Sequence, residues 1–165
     1  MRGGDFGCHI KVLRRSLLSS SSGIHDLRLK FGAEENLDDE ELADRLYNDD
    51  RFVLLSHTCE EDPIFNYANV AGQRLFKMSF AEFVKVPSRM SAEPLLREAR
   101  QLLLDKVSRD GYTDDYEGVR VASDGTRFLI RNALVWDLFD DDGARCGAAA
   151  FFDGSVVEYL GGGPT

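Results

Sequence analysis

The sequence predicts an α+β domain: one five-stranded antiparallel sheet with helices packed on one face. Three observations carry this. Two strand-like runs, RFVLLSH and IFNYAN, come early and three longer runs come after residue 111, with helical patterns between them. The late runs are joined by SDGT and DDDGA, turn-rich segments that return a strand beside its predecessor. Strands grouped before and after a helical block, rather than alternating with helices, favour antiparallel pairing.

The elements follow in chain order. In NLDDEELADRLYNDD, Asn36 and Asp39 offer a cap, acids fill the first turn, and Leu42, Ala43, Leu46 and Tyr47 recur at helical spacing. The pattern predicts a helix over 38–48. The β-branched and apolar run Phe52 to Leu55 reads as a buried strand. In IFNYAN, Ile64, Asn66 and Ala68 alternate with Phe65, Tyr67 and Asn69, the period of a short strand. Asn69 then suits the N-cap of VAGQRLF, and Ser79 that of FAEFVKV, which stops before Pro87. Pro94 fits the first turn of a longer helix through Arg109, with Leu96, Ala99, Leu103 and Val107 as its apolar stripe and Arg97, Arg100 and Asp105 facing elsewhere. Gly111 is a natural stop. In TRFLIRNALVWDLF strict alternation puts Phe128, Ile130, Leu134, Trp136 and Leu138 on one face, interrupted by Asn132. Leu129, Arg131, Ala133, Val135 and Asp137 fall on the other.

A chain of 165 residues with 43% hydrophobic and 30% charged side chains has enough material for a real core. Its net charge of −9 argues against a general affinity for nucleic acid, and no apolar run approaches the roughly 18–20 residues of a membrane-spanning helix. The charge is uneven. Residues 1–31 hold six Lys or Arg against Asp5 and Asp26, leaving 14 basic and 27 acidic side chains beyond. Such a basic, Ser-rich leader is read as a short helix and hinge beside a cytoplasmic domain, with a plastid transit peptide as the alternative. The expected organisation is a leader over 1–36, a domain over 37–155 and a flexible tail over 156–165. Cys8, Cys59 and Cys146 are widely spaced, which suggests a reducing compartment rather than a disulfide framework.

Several strings resemble a known family. The element order is similar to a PAS fold, in which a sheet cups a few helices. LLSH (54–57), DPIFNYAN (62–69), LFKMSFAEF (75–83), PSRMSAEP (87–94), GVRVASDGTRF (118–128), ALVWDLFDDDG (133–143) and GAAAFF (147–152) resemble the MEKHLA domain, a PAS-like module. The resemblance runs over about 38–153 and identifies the chain as a stand-alone member. It implies a regulatory or dimerisation role in plant homeodomain–leucine-zipper factors, but this chain has no homeodomain, heptads or basic region, so DNA binding is not carried over. Flavin-binding PAS domains carry an Asn-Cys-Arg string, and heme-binding ones a histidine, in the helical segment. Val70 to Arg109 contains neither cysteine nor histidine, which argues against a cysteinyl flavin and against heme. The expectation is no cofactor, with an unknown small ligand left open.

Chemistry-bearing patterns are sparse. His57 and Cys59 precede an acidic turn, and the plainer reading is a strand end rather than a metal site. No Gly-x-Ser-x-Gly elbow or phosphate-binding loop is present. A sheet curved around helices tends to leave a pocket. The expected lining includes His57, Phe65, Tyr67, Phe76, Phe80, Phe83, Phe128 and Trp136, with Asn69, Arg89, Arg131 and Asn132 as polar candidates. Arg89, in PSRMS, has the fork to clamp an acidic ligand or to pair with an acid on the sheet. Leu129, Ala133, Val135 and Ala149 are expected on an apolar outer face, where a homodimer would form. The reading is a non-enzymatic sensing or regulatory module. The alternatives are an enzyme using His57, Tyr67 and Arg89, or an interaction domain with a filled core.

Overall fold

The computed structural model describes residues 39–93 and 97–161; the basic leader, the cap at Asn36 and the turn at Pro94 lie outside the described residues. In chain order the elements are α1 (Asp39–Asn48), β1 (Phe52–Thr58), β2 (Phe65–Ala68), α2 (Val70–Phe76), α3 (Phe80–Phe83), a 3₁₀ turn (Ser88–Ser91), α4 (Arg97–Asp110), β3 (Tyr112–Val121), β4 (Arg127–Phe139), β5 (Arg145–Asp153), a second 3₁₀ turn (Gly154–Val156) and β6 (Glu158–Leu160). The short helices start where their caps dictate. Asn69 accepts the Gly72 N–H, and Ser79 forms a reciprocal capping box with Glu82.

All pairings are antiparallel, in the order β2-β1-β5-β4-β3, with β6 also on β4. The sheet therefore has six strands where five are expected. The extra one falls in the segment read as a flexible tail: residues 158–160 pair with Leu129, Phe128 and Arg127. β5 and β6 share one edge of β4, separated by the turn at Gly154–Val156, so β4 changes partner midway along its 13 residues.

Of the four register shifts in the sheet, two decide on which face the expected site residues fall. Tyr116 pairs with Ala133 and Gly118 with Ile130, so β4 holds one extra residue in that interval. Asn132 sits there with φ of +51°, the left-handed conformation that asparagine tolerates better than most residues. In β2, Tyr67 pairs with Ser56 and Phe65 with His57, which leaves Asn66 as the extra residue. An extra residue moves everything beyond it to the other side of the sheet.

The expected alternation along β4 is thus corrected. Phe128, Ile130 and Ala133 share one face, with Val53, Leu55, Phe65 and Phe152 from neighbouring strands and Phe76 and Phe83 from α2 and α3. Leu134, Trp136 and Leu138 lie on the other face with Leu54, Tyr67, Ala149, Phe151 and Leu46 of α1. Helices α2 and α4 cover the first face, the cup, α1 packs on the second, and α3 gives Phe83 to the first and Phe80 to the second; the helices do not all lie on one side.

Candidate functional site

The cup contains a cavity of about 60 Å³, space for roughly four or five water-sized spheres. Its sheet floor is built from small or apolar side chains, among them Ile130, Ala133, Val135, Ala148, Ala150 and Phe152. The alanines leave the room. Gly147 continues the run, and a Cβ there would strike the backbone carbonyl of His57 on β1, so this glycine is required by strand proximity. The small residues of GAAA thus serve closeness within the sheet and space above it.

Around this apolar floor, polar groups converge from the helical side and from the flanking strands β1 and β3. Arg100 projects from α4, Ser88 and Ser91 from the 3₁₀ turn, Tyr116 and Arg120 from β3, and His57 from β1. Arg100 occupies the buried stripe of its helix with Leu104 and Val107, whereas Ala99, expected in that stripe, is exposed. Its Nη2 donates to the Ser88 hydroxyl. The Ser91 hydroxyl donates to the Ser88 carbonyl at 2.7 Å and the Ser88 N–H donates to the Pro63 carbonyl at 2.7 Å, so the serine is held in place. Arg120 donates from Nη1 to the Val119 carbonyl at 3.2 Å and places Cζ 5.2 Å from the Tyr116 ring centroid. Gly118 makes that stacking feasible, because a Cβ there would run into the Tyr116 hydroxyl.

The electrostatics are unusual. Arg100 and Arg120 are only 6% and 9% exposed, yet among the described residues no carboxylate pairs with either guanidinium. Asp62 acts on Arg100 only at longer range, being itself paired with Arg89. Burial, and then the charge of Arg120, lower the Arg100 pKa to about 10; burial likewise lowers that of Arg120. Both remain cationic at neutral pH, and their hydrogen bonds within the described chain go to neutral oxygens, that of Ser88 for Arg100 and those of Val119 and Tyr116 for Arg120.

His57 shows the opposite response. Burial lowers its pKa to about 4 against the Thr58 hydrogen bond, which acts to raise it, with Arg100 and Arg145 adding to the lowering. The ring is neutral at pH 7. Its Nδ1 lies 2.7 Å from the Thr58 carbonyl, which can only accept, so the proton resides on Nδ1 and Nε2 keeps its lone pair.

The other expected site residues are distributed differently. Phe65 and His57 line the cup. Tyr67 and Trp136, placed in the cup by strict alternation, belong to the opposite face because of the two bulges, and half-buried Phe80 packs beside Tyr67 there. Asn69 is buried but fully engaged: Oδ1 accepts from the Leu54 and Gly72 N–H groups, both at 3.1 Å, while Nδ2 donates to the Phe52 and Leu46 carbonyls at 2.7 and 3.3 Å. It ties α1, β1 and α2 together and has no valence left for a ligand. Arg89 is an exposed residue paired with Asp62 at 2.9 Å. Arg131 is exposed between Glu117 and Glu158, and Asn132 forms the bulge. His57, Tyr67 and Arg89 therefore do not converge. Of the residues expected on an exposed outer surface, Ala133 and Val135 are buried in the cup, Ala149 is buried beneath Trp136 and Leu46, and Leu129 is half-buried between Val119 and Glu158. Cys59 is exposed, its thiol donating to the Arg145 carbonyl at 3.3 Å, and among the described residues no three His, Cys, Asp or Glu side chains come together as a metal cage.

Sequence reading missed Arg100, Tyr116 and Arg120. A signal existed for the first: Arg100, Leu103, Leu104 and Val107 keep helical spacing as well as the stripe built on Ala99. For Arg120, its neighbours at two-residue spacing, Gly118 and Ala122, are small enough to seat a long side chain inside.

The MEKHLA domain model matches residues 14–155. The chain belongs to the MEKHLA domain family. The match begins at residue 14, within the segment expected as a leader. The homeobox-leucine zipper protein ATHB-14 of Arabidopsis thaliana is 24% identical over 142 residues, which are 85% of this chain and 17% of that protein, so the chain spans about a sixth of its relative. Among solved structures, the PAS domain of a protein from Colwellia psychrerythraea aligns with a TM-score of 0.60 at 13% identity, over 69% of this chain and 94% of that one. A light-oxygen-voltage domain studied with a flavin analogue aligns with a TM-score of 0.51 at 14% identity, over 66% of this chain and 76% of that one. The fold is PAS-like, and the family relationship supports a sensory or regulatory domain. Val70 to Arg109 contains no cysteine, so the residues present do not supply the thiol of a cysteinyl flavin adduct. No helix among the described residues is long and apolar enough to cross a membrane.

Proposed function

We propose that this chain is a non-enzymatic sensory module whose signal is the occupancy of the cup by a small molecule. The supporting observation is the cavity itself: an apolar floor facing buried polar groups from α4, β3 and the Ser88–Ser91 turn, inside a PAS-like sheet. Such a site binds by shape and a few fixed donors. The groups that an acid–base mechanism would draw on lie apart, His57 in the cup, Tyr67 on the opposite face and Arg89 at the surface. The output would be a population shift: a ligand touching α4 and β3 together favours one setting of helix against sheet, and a protein partner reads it. Nothing of the DNA-associated name of ATHB-14 is transferred, because the chain carries a net charge of −9.

Native mass spectrometry of the purified chain tests this reading, together with a thermal-shift screen of small metabolites against the chain and its Ala150→Leu variant. The expected result is an adduct of small mass or a ligand-dependent rise in Tm, lost in the variant because the added side chain fills the cavity. A chain that carries nothing and responds to no small molecule would refute it.

A further inference from the structure

A buried cation without a counter-charge is an expensive feature, and the cup holds two. Isolated buried charges are normally paired or neutralised, and arginine does not lose its proton at neutral pH. Arg100 and Arg120 nonetheless line one cavity, each nine-tenths buried or more, and their hydrogen bonds go to neutral oxygens, that of Ser88 for Arg100 and those of Val119 and Tyr116 for Arg120. They also repel each other, as the effect of Arg120 on Arg100 shows. Nearby described acids are engaged elsewhere or remote: Asp62 with Arg89, Asp137 with Arg145 at 2.8 Å, Glu93 with Arg127. The arrangement lacks an anion that the described chain does not supply.

The form of the cavity limits that anion. A planar guanidinium fork matches a carboxylate, which accepts from two donors at once. Away from His57, the floor of Ile130, Ala133, Val135 and Phe152 offers no polar side chain, so the part of the molecule resting there is apolar. A volume of about 60 Å³ admits roughly four to six heavy atoms. We infer that the cup binds a short-chain monocarboxylate, its carboxylate between Arg100 and Arg120 and its aliphatic end against Ala133 and Val135. This rests on the sensory reading above and names the ligand class it leaves open. Tyr116 and Ser88 orient the two forks, Tyr116 by stacking under Arg120 and Ser88 by accepting from Arg100. The anion would join α4 to β3 electrostatically, the coupling the signal requires.

The test uses the full chain with acetate, propionate and butyrate, their neutral amides, and sodium chloride and phosphate at matched ionic strength, read by thermal shift and calorimetry. The carboxylates are expected to raise Tm by several degrees and to bind at least about tenfold more tightly than the amides. Arg100→Gln and Arg120→Gln should each abolish the shift. Their ligand-free Tm should hold or rise, since each removes an uncompensated buried charge; a merely structural arginine would lower it. Amides binding as well as acids would overturn the anion assignment and leave the sensory reading standing. Chloride or phosphate matching butyrate would overturn the carboxylate. Silence from every probe, with no co-purified molecule, would remove both readings. The comparison of acid with amide needs no variant, so a misfolded substitution does not decide the matter.

Discussion

The two faces of the sheet are built from the same strands and differ in almost everything else. On the face beneath α1, Tyr67 meets Phe80 edge-on at 6.4 Å and Tyr47 at 6.5 Å, Phe52 stacks on Phe151 at 5.2 Å, and Trp136 is 2% exposed. In the cup, three alanines underlie a cavity and two arginines stand over it. Space and unpaired charge occur together on one side only. That coincidence separates a site from a packing defect, because a defect in an apolar core carries no penalty-bearing cations. The sharpest way to break the comparison is Trp136→Ala. Truncating a fully buried indole should cost about 3–5 kcal/mol in urea denaturation, and a loss under about 1 kcal/mol would show that the α1 side is not the packed face.

Asn69→Ala tests what holds the faces in register. The cap and the bonds to Leu46, Phe52 and Leu54 disappear together, leaving buried backbone groups unpaired, so the expected loss is about 2–3 kcal/mol. Stability unchanged within about 0.5 kcal/mol would mean that water takes over those bonds and that α1 is held by its rings alone.

His57 gives the cup a pH signature that the other face lacks. Its folded pKa, lowered to about 4, lies below the unfolded value of 6.5. The unfolded chain therefore binds the proton first as pH falls. The stabilising term is whole above pH 6.5, declines from 6.5 towards 4 and declines no further below. Between pH 7 and pH 5 it removes about 2 kcal/mol. Urea titrations at both values should show that slope in the native chain and a flatter one in His57→Gln. Equal slopes would place the histidine in contact with solvent.

A neighbouring pair on β5 compares the faces directly. Ala149→Leu intrudes on the packed cluster of Trp136 and Phe151 and should cost about 1–3 kcal/mol, whereas Ala150→Leu enters the cavity and should cost under about 1 kcal/mol. The reverse order would mean the cavity is too shallow for a side chain.

Much of this architecture was legible in the residues. The helix over 38–48 appears as Asp39–Asn48, the caps at Asn69 and Ser79 are present, and the antiparallel pairing follows from the grouping of the runs. The site was far less legible, for two physical reasons. Strict alternation assumes unbroken pleating, and one added residue at Asn66 and another at Asn132 move Tyr67 and Trp136 out of the cup and bring Ala133 and Val135 into it. The other reason is that hydropathy assigns arginine to the surface, so Arg100 is read as outward and Arg120 draws no notice, although the spacing of both fits the buried side. Both errors fall where the sheet or its lining departs from ordinary packing, which is where a binding site departs too.

The smallest expected effect tests the hinge of that error. Asn132 is exposed and makes no core contact, so its substitution reports backbone conformation with little else. A β-branched residue resists φ of +51°, and Asn132→Val should cost about 1–2 kcal/mol, while Asn132→Gly should stay within about 0.5 kcal/mol. Because Trp136 is the chain's single tryptophan, its emission reports the face beyond the bulge independently of stability. A blue, buried emission retained in Asn132→Val means the extra residue persists under strain and the partner switch from β6 to β5 enforces it. A red-shifted emission means that valine has pulled β4 into plain alternation and turned the indole towards the cup, which would make this one asparagine the residue that assigns each side chain to its face.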